Sequence, residues 1–278
     1  MSAPLRYSAF TDDPAGGNPA GVVLNAGGLD DDGMLAIAAE LGYSESAFVL
    51  PRSGNEYDIR YFSPLAEVAF CGHATIATGV AIAERSGPGR IVFHTRGGEV
   101  PVDTSIEAAG VTATLTSVAP YVEDAPETLL NPALSALGYA PEDLDAQLPP
   151  KVGFAGVRHL IIGVATRERL ARLEYDFEGL QRLMLNHDLT TVDLVYREDA
   201  TTFQSRNPFP VGGVVEDPAT GAAAAAFGAY LRELGVVTPP ATVTIHQGVD
   251  MGRPSLLTVE IGEEPQLRVT GRAVAIPI

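Results

Sequence analysis

The sequence predicts an α+β chain of two related halves, each a helix of small residues wrapped by strands. Three observations predict this. The first is a spacing that occurs twice: Gly72, Gly79, Glu84-Arg85 and Gly87 mark one helix, and Gly221, Gly228, Arg232-Glu233 and Gly235 mark another. The second is composition. Both helices are rich in Ala and Gly, with Thr in the first, and small residues let surrounding backbone approach closely. The third is what precedes them: each follows a strand that ends in a proline turn, Tyr61-Phe62-Ser63-Pro64 in one half and Ser205-Arg206-Asn207-Pro208 in the other. The competing reading is two ordinary buried helices that share small residues by coincidence. The spacing favours duplication.

The remaining elements follow from periodicity and punctuation. Alternating or β-branched runs predict strands at 5–10, 21–24, 46–50, 58–62, 91–94 and 111–115. Later runs predict strands at 158–164, 190–196, 202–206, 242–246, 256–261 and 267–270. Asp30, Asp31 and Asp32 place carboxylates at the start of a helix carrying Met34, Leu35, Ile37, Ala38 and Leu41, and Gly42 can end it in the left-handed conformation. A helix over 72–86 stops at Gly87-Pro88. Others are predicted over 127–137, as a pair between 166 and 186, and over 221–234. The stretch 119–132, rich in Pro, Glu and Asp and weakly periodic, reads as the crossing between halves. The halves are expected over 1–120, completed by 268–278, and over 121–267.

Composition narrows the function. With 278 residues, 46% hydrophobic and 19% charged, the chain is a globular protein with a large core. Its net charge of −17 repels phosphate backbones and anionic lipid, which excludes nucleic acid and membrane as expected partners. An anionic substrate must then be held by backbone dipoles or a few cations. The single cysteine, Cys71, allows no disulfide within the chain, and the five histidines show no HExxH spacing, so no metal is expected. Residues 1–6 lack an apolar signal core, and no 18-residue apolar window occurs, which predicts a cytoplasmic protein.

Four pieces can carry chemistry. In Phe70-Cys71-Gly72-His73-Ala74-Thr75, a glycine opens a helix whose first N–H groups favour a carboxylate or phosphate. His73 there is a candidate acid/base group, or a histidine satisfied by a nearby carbonyl. In Val214-Val215-Glu216-Asp217-Pro218-Ala219-Thr220-Gly221, Asp217 suits an N-cap and Pro218 a first helical turn. The functional alternative is that Asp217 orients a proton-transfer group while Gly221 and Ala222 offer N–H groups. Glu45, between Ser44 and Ser46 at the head of an apolar strand, is a candidate general base or a solvated loop acid. Gly16-Gly17-Asn18-Pro19-Ala20-Gly21 reads as a tight turn in which Asn18 can touch a ligand. No phosphate-binding GxxxxGK[ST] loop, strand-linked GxGxxG or GxSxG elbow occurs, so no nucleotide or nicotinamide cofactor has a recognisable seat.

Together these pieces resemble the PhzF-like isomerase family of phenazine biosynthesis, which shares the diaminopimelate epimerase-like fold. The likeness runs through Phe10-Thr11-Asp12, Gly17-Asn18-Pro19, Ser44-Glu45-Ser46-Ala47-Phe48-Val49, Phe62-Ser63-Pro64 and Phe70-Cys71-Gly72-His73-Ala74-Thr75. It continues through Glu216-Asp217-Pro218-Ala219-Thr220-Gly221, Gln247-Gly248 and Gly252-Arg253-Pro254-Ser255. It implies two domains, each a central helix enclosed by strands, an active site in the cleft between them, no cofactor, and a homodimer. It implies that Glu45 shuttles a proton between carbons of a cyclic dienyl amino acid. His73 and Asp217 would assist, and backbone groups at Gly72 and Gly221 would hold the small anionic metabolite. The phenazine enzymes have serine where this chain has Ala222, which leaves the substrate open. The epimerase branch uses two facing cysteines; here Cys71 stands at one position and Thr220 at the other. A racemase or epimerase, and a binding module without activity, are the alternatives to the expected isomerase.

Overall fold

The computed structural model describes residues 3–108 and 110–277; of the start at 1–6, residues 1 and 2 lie outside the described residues. The chain divides into two compact units, Met1–Thr116 with Arg268–Ile278, and Ser117–Leu267.

The first unit begins with β1 (Leu5–Ala9), β2 (Asn18–Val23), α1 (Asp31–Leu41), β3 (Glu45–Pro51) and β4 (Glu56–Phe62). It continues with a short β5 (Glu67–Val68), α2 (Gly72–Ser86), β6 (Arg90–Thr95), β7 (Gly98–Glu107) and β8 (Gly110–Thr116). The second unit holds β9 (Tyr121–Asp124), α3 (Glu127–Leu137), β10 (Lys151–Phe154), β11 (Arg158–Gly163), α4 (Arg167–Ala171) and α5 (Phe177–Asn186). After these come β12 (Thr191–Arg197), β13 (Thr202–Pro208), β14 (Glu216–Asp217), α6 (Gly221–Glu233), β15 (Ala241–Gln247) and β16 (Ser255–Ile261). The last strand, β17 (Leu267–Ala275), returns to the first unit.

Strand pairing closes the first unit into a barrel of eight. The order β1–β2–β3–β4–β6–β7–β8–β17 ends with β17 paired back onto β1. Inside runs α2, buried from His73 to Ala83 and packed on β1, β2, β3, β7 and β8. In the second unit α6 is buried from Gly221 to Leu231 and packs on β9, β10, β11 and β16. The glycines of the repeat explain how strands come so close. A Cβ at Gly79 would stand 3.1 Å from Val102 Cγ1, and one at Gly228 would stand 2.8 Å from Val259 Cγ1.

The duplication extends to register. The parallel, antiparallel, parallel, antiparallel order of β2–β3–β4–β6–β7 recurs in β11–β12–β13–β15–β16. Phe48 opposite Arg60 matches Leu194 opposite Arg206, and Glu45 beside Ala20 matches Thr191 beside His159. Each half also carries the same ion pair. Arg60 Nε and Nη2 donate to Glu67 at 2.8 and 2.6 Å; Arg206 Nε and Nη2 donate to Glu216 at 2.9 and 2.6 Å. These forks tie β4 to β5 and β13 to β14, fixing the chain just ahead of each central helix.

Helices on the outside differ between the halves. α1 starts at Asp30, whose side chain accepts from Gly33 N–H, and ends at Gly42 in the left-handed conformation at φ 68°. Its Met34 and Ala38 pack with Val23, Phe48 and Phe62, seating β3. In the second unit α3 and α5 bring Leu129, Leu137, Leu180 and Met184 onto Val152, Leu160, Ile162, Val192 and Leu194.

Two expectations change. The stretch 119–132 is not a bare crossing, because 121–124 pairs with β10 and α3 begins at Glu127. Nor does Asp217 cap α6: the N-cap is Thr220, and Asp217 lies in β14 opposite Asn207. Residues 218–220 stay outside the helix because β14 pairing holds Glu216 and Asp217 extended.

Candidate active site

Glu45 opens β3, and α2 brings two titratable neighbours to it. Cys71 Sγ lies 3.7 Å from Glu45 Oε2, and His73 Nε2 lies 3.6 Å from the same oxygen. Cys71 Sγ also lies 3.4 Å from His73 Nδ1 and 3.7 Å from Nε2. Asn18, at the start of β2, donates from Nδ2 to His73 Nδ1 at 3.1 Å. An imidazole that accepts at Nδ1 carries its proton on Nε2, the nitrogen near Glu45. Burial pushes the His73 pKa below its ordinary 6.5, against the opposing pull of the Glu45 charge. The ring is therefore neutral near pH 7. It is a proton donor or hydrogen-bond partner rather than a fixed cation.

The backbone around this cluster is held from behind. Cys71 is the N-cap of α2 in extended conformation and supplies no capping side chain. First-turn N–H groups at Gly72 and His73 are thus suited to an anionic partner. Thr75 Oγ1 donates to Cys71 O at 2.7 Å and meets Tyr61 OH at 2.6 Å, anchoring the helix start to β4.

The second unit has a different arrangement at the matching helix start. Thr220 Oγ1 donates to Asp217 Oδ2 at 2.6 Å. Gln247, at the end of β15, donates to Asp217 O at 2.7 Å and Thr220 Oγ1 at 3.0 Å, and accepts from Thr220 N at 3.0 Å. Thr220, the counterpart of Cys71, is thus locked in place. Ala222, the counterpart of His73, offers no side-chain chemistry. Deeper in this unit runs a buried polar relay. His159 Nδ1 donates to Thr191 Oγ1 at 2.7 Å, Thr191 donates to Asn207 Oδ1 at 2.7 Å, and Asn207 donates to Asp193 Oδ1 at 2.9 Å. Burial pushes Asp193 up to about 7 and His159 down to about 3.

The fold brings Asn18, Glu45, Gly72 and His73 together in the first unit, and Asp217, Gly221 and Ala222 together in the second. Sequence reasoning missed the closeness of Cys71 to Glu45, the clamp made by Gln247, and both Arg–Glu forks. The forks leave no signal at one fixed offset, because Arg60 and Glu67 stand 7 positions apart and Arg206 and Glu216 stand 10 apart. One donor atom each from Glu45, Cys71 and His73 also lies within 4.8 Å of the others, a mixed oxygen, sulfur and nitrogen set able to hold a metal ion.

Two duplicated β units, each built on a buried glycine-opened helix, define the diaminopimelate epimerase-like class of α+β proteins. The chain belongs to the phenazine biosynthesis-like protein family, PhzC-PhzF, whose pattern matches residues 7–277. It is 32% identical to a trans-2,3-dihydro-3-hydroxyanthranilate isomerase of Pseudomonas fluorescens, over 90% of this chain and 86% of that one. A phenazine biosynthesis protein of the PhzF family from Bacillus anthracis superposes at a TM-score of 0.88 with 26% identity, covering 99% of this chain and 96% of its own. A probable proline racemase from Agrobacterium radiobacter reaches a TM-score of 0.67 at 13% identity, over 98% and 90% of the two chains, and shares the fold alone.

Proposed function

We propose that the protein is a cofactor-independent isomerase that moves a proton between carbons of a small carboxylated metabolite, with Glu45 carrying the proton. The observation that carries this reading is the Glu45 carboxylate 3.6 Å from a neutral, buried His73. Glu45 takes a proton from one carbon, the double bond migrates, and the same carboxyl returns the proton to another carbon. No electrons leave the substrate. His73 supports the negative charge that develops, and Asn18 orients its ring. The N–H groups at the start of α2, at Gly72 and His73, bind the substrate anion; in the second unit Gly221 and Ala222 offer N–H groups of the same kind, and Asp217 is the candidate assisting group there. Such acid/base work contributes roughly 10²–10⁴ in rate per group.

The substrate class is a cyclic or unsaturated amino or hydroxy acid. Ala222 lacks the hydroxyl of the phenazine enzymes' serine, a loss of about 1–2 kcal/mol where that group meets a carboxylate. The backbone N–H remains. Two-thiol racemisation is disfavoured, because Thr220 replaces the second thiol and its hydroxyl is engaged by Asp217 and Gln247. A net charge of −17 supports a protein without nucleic-acid or anionic-membrane partners, the family likeness supports a homodimer, and a cytoplasmic setting is part of the same proposal. Among the described residues no helix is long and apolar enough to cross a membrane.

The test is Glu45→Gln, assayed by product formation from dihydro-hydroxyanthranilate and related cyclic dienyl acids. Turnover should fall at least ~10³-fold while the circular dichroism spectrum and ligand binding persist. Turnover close to that of the unsubstituted protein would rule the shuttle out.

A further inference from the structure

Three donor atoms of different chemistry form a nearly equilateral triangle in the first unit. Cys71 Sγ is 3.7 Å from Glu45 Oε2 and 3.7 Å from His73 Nε2, and Nε2 is 3.6 Å from Oε2. Edges of this length are those of one face of a tetrahedral zinc site. Sγ also stands 3.4 Å from Nδ1, beside the imidazole rather than along the Nε2 lone pair, so metal entry requires the ring to turn about Cβ–Cγ and aim that lone pair at the ion; the three atoms are then within reach of the roughly 2.0–2.3 Å bonds that zinc takes to oxygen, nitrogen and sulfur.

We propose that Glu45, Cys71 and His73 form a binding site for a thiophilic divalent cation, zinc foremost, with its fourth position open. The donor set decides the class of ion. A thiolate and an imidazole beside one carboxylate suit zinc, whereas magnesium and calcium take oxygen alone. Zinc entry breaks the Cys71 S–H bond, releases that proton to solvent and forms the zinc–sulfur bond, with no change of oxidation state. His73 gives its Nε2 lone pair, so its ring proton moves to Nδ1. Asn18 can receive that proton through Oδ1 after its amide turns over, since an amide presents donor and acceptor at either end. Asn18 is then the outer partner that fixes the ring. The side chains are already largely withdrawn from water, at 13% exposure for Glu45 and 6% for His73. Resting on the reading of Glu45 as proton carrier, a bound ion occupies the lone pair the reaction needs. Zinc then acts as a reversible inhibitor.

Cobalt(II) is the probe, because tetrahedral thiolate ligation gives a sulfur-to-metal charge-transfer band that oxygen ligation lacks. Cys71 is the sole cysteine of the chain, so any such band reports this residue. Metal-free protein should take up one equivalent with that band, and zinc should displace it. Cys71→Ser should abolish the band. Glu45→Gln and His73→Ala should each weaken binding at least tenfold, and Asn18→Ala by roughly 10–100-fold, with folding checked by circular dichroism. Absence of the band in the unsubstituted protein, or unchanged affinity in the Glu45 and His73 variants, overturns the site. Both readouts are of binding. Retained turnover in Glu45→Gln would sink the shuttle and leave the cobalt band standing; a missing band would sink the metal site and leave the shuttle standing.

Discussion

Glu45 at the head of β3 and Thr191 at the head of β12 occupy matching places, beside Ala20 and His159 on parallel neighbours. The surroundings differ. Glu45 meets the titratable Cys71 and His73 of α2. Thr191, 1% exposed, instead bridges His159 and Asn207 inside the core. At the helix starts Cys71 is matched by Thr220 and His73 by Ala222. What both halves keep is the framework: the strand order, the glycine-opened helix and the Arg–Glu fork. The lesson is that duplication held the scaffold constant while the titratable groups gathered at the helix start of one half and withdrew into the core of the other.

The largest test of this contrast is on turnover. Glu45→Gln should cost at least ~10³-fold in rate, whereas Thr191→Val should leave turnover within about threefold and lower stability by roughly 1–3 kcal/mol through the stranded His159 and Asn207. Equal rate losses would break the asymmetry. Next is the fork. Arg206 and Glu216 side chains are only 10% and 4% exposed, so Glu216→Gln should destabilise by about 3–5 kcal/mol in urea unfolding. Glu67→Gln should cost less, about 1–2 kcal/mol, since Arg60 keeps Asp31 at 2.7 Å and is 22% exposed.

A third test uses pH. With its pKa raised from 3.8 to about 7, Asp193 keeps a proton in the folded state that the unfolded chain releases. Its contribution to stability is therefore lost as pH rises between about 4 and 7. His159, lowered from 6.5 to about 3, has the opposite sign: stability is gained as pH rises between about 3 and 6.5. The two slopes oppose each other over most of this range. Asp193→Asn should remove one of them, raising stability at pH 8 by roughly 1–3 kcal/mol and by little at pH 4. A gain independent of pH would refute the titration. The smallest effects concern the central helices. Gly228→Ala should lose about 1 kcal/mol against Val259, while Gly79→Ala, with more room, should stay within about 1 kcal/mol of neutral once helix propensity is counted. Thermal melts of both would rank them.

Much of the scaffold was legible because punctuation is local. Asp30 and Gly42 bracket α1, and glycines repeat at fixed offsets along α2 and α6. Asp217 reads in the sequence as a helix cap and not as a strand residue, because Asn207, its partner in the ladder, arrives from another element. Glu45 and Cys71 stand 26 positions apart, and Asn18 and His73 stand 55 apart. Only the parallel pairing of β2 with β3, and the threading of α2 inside the barrel, brings them together. A search for ligands at short spacings could not see that set. The forks were hidden for a related reason: the loop between Arg206 and Glu216 is longer than the one between Arg60 and Glu67, so no single offset aligns both ends.

The returning strand β17 has a consequence in time. Tyr7 is paired with Ala275 across nearly the whole sequence, and β8 with the same strand. As the chain leaves the ribosome, all of 117–267 is made before 268–275 exists. The second unit can therefore mature while the first still exposes unpaired edges on β1 and β8. The half bearing Glu45, synthesised first, is the last to close.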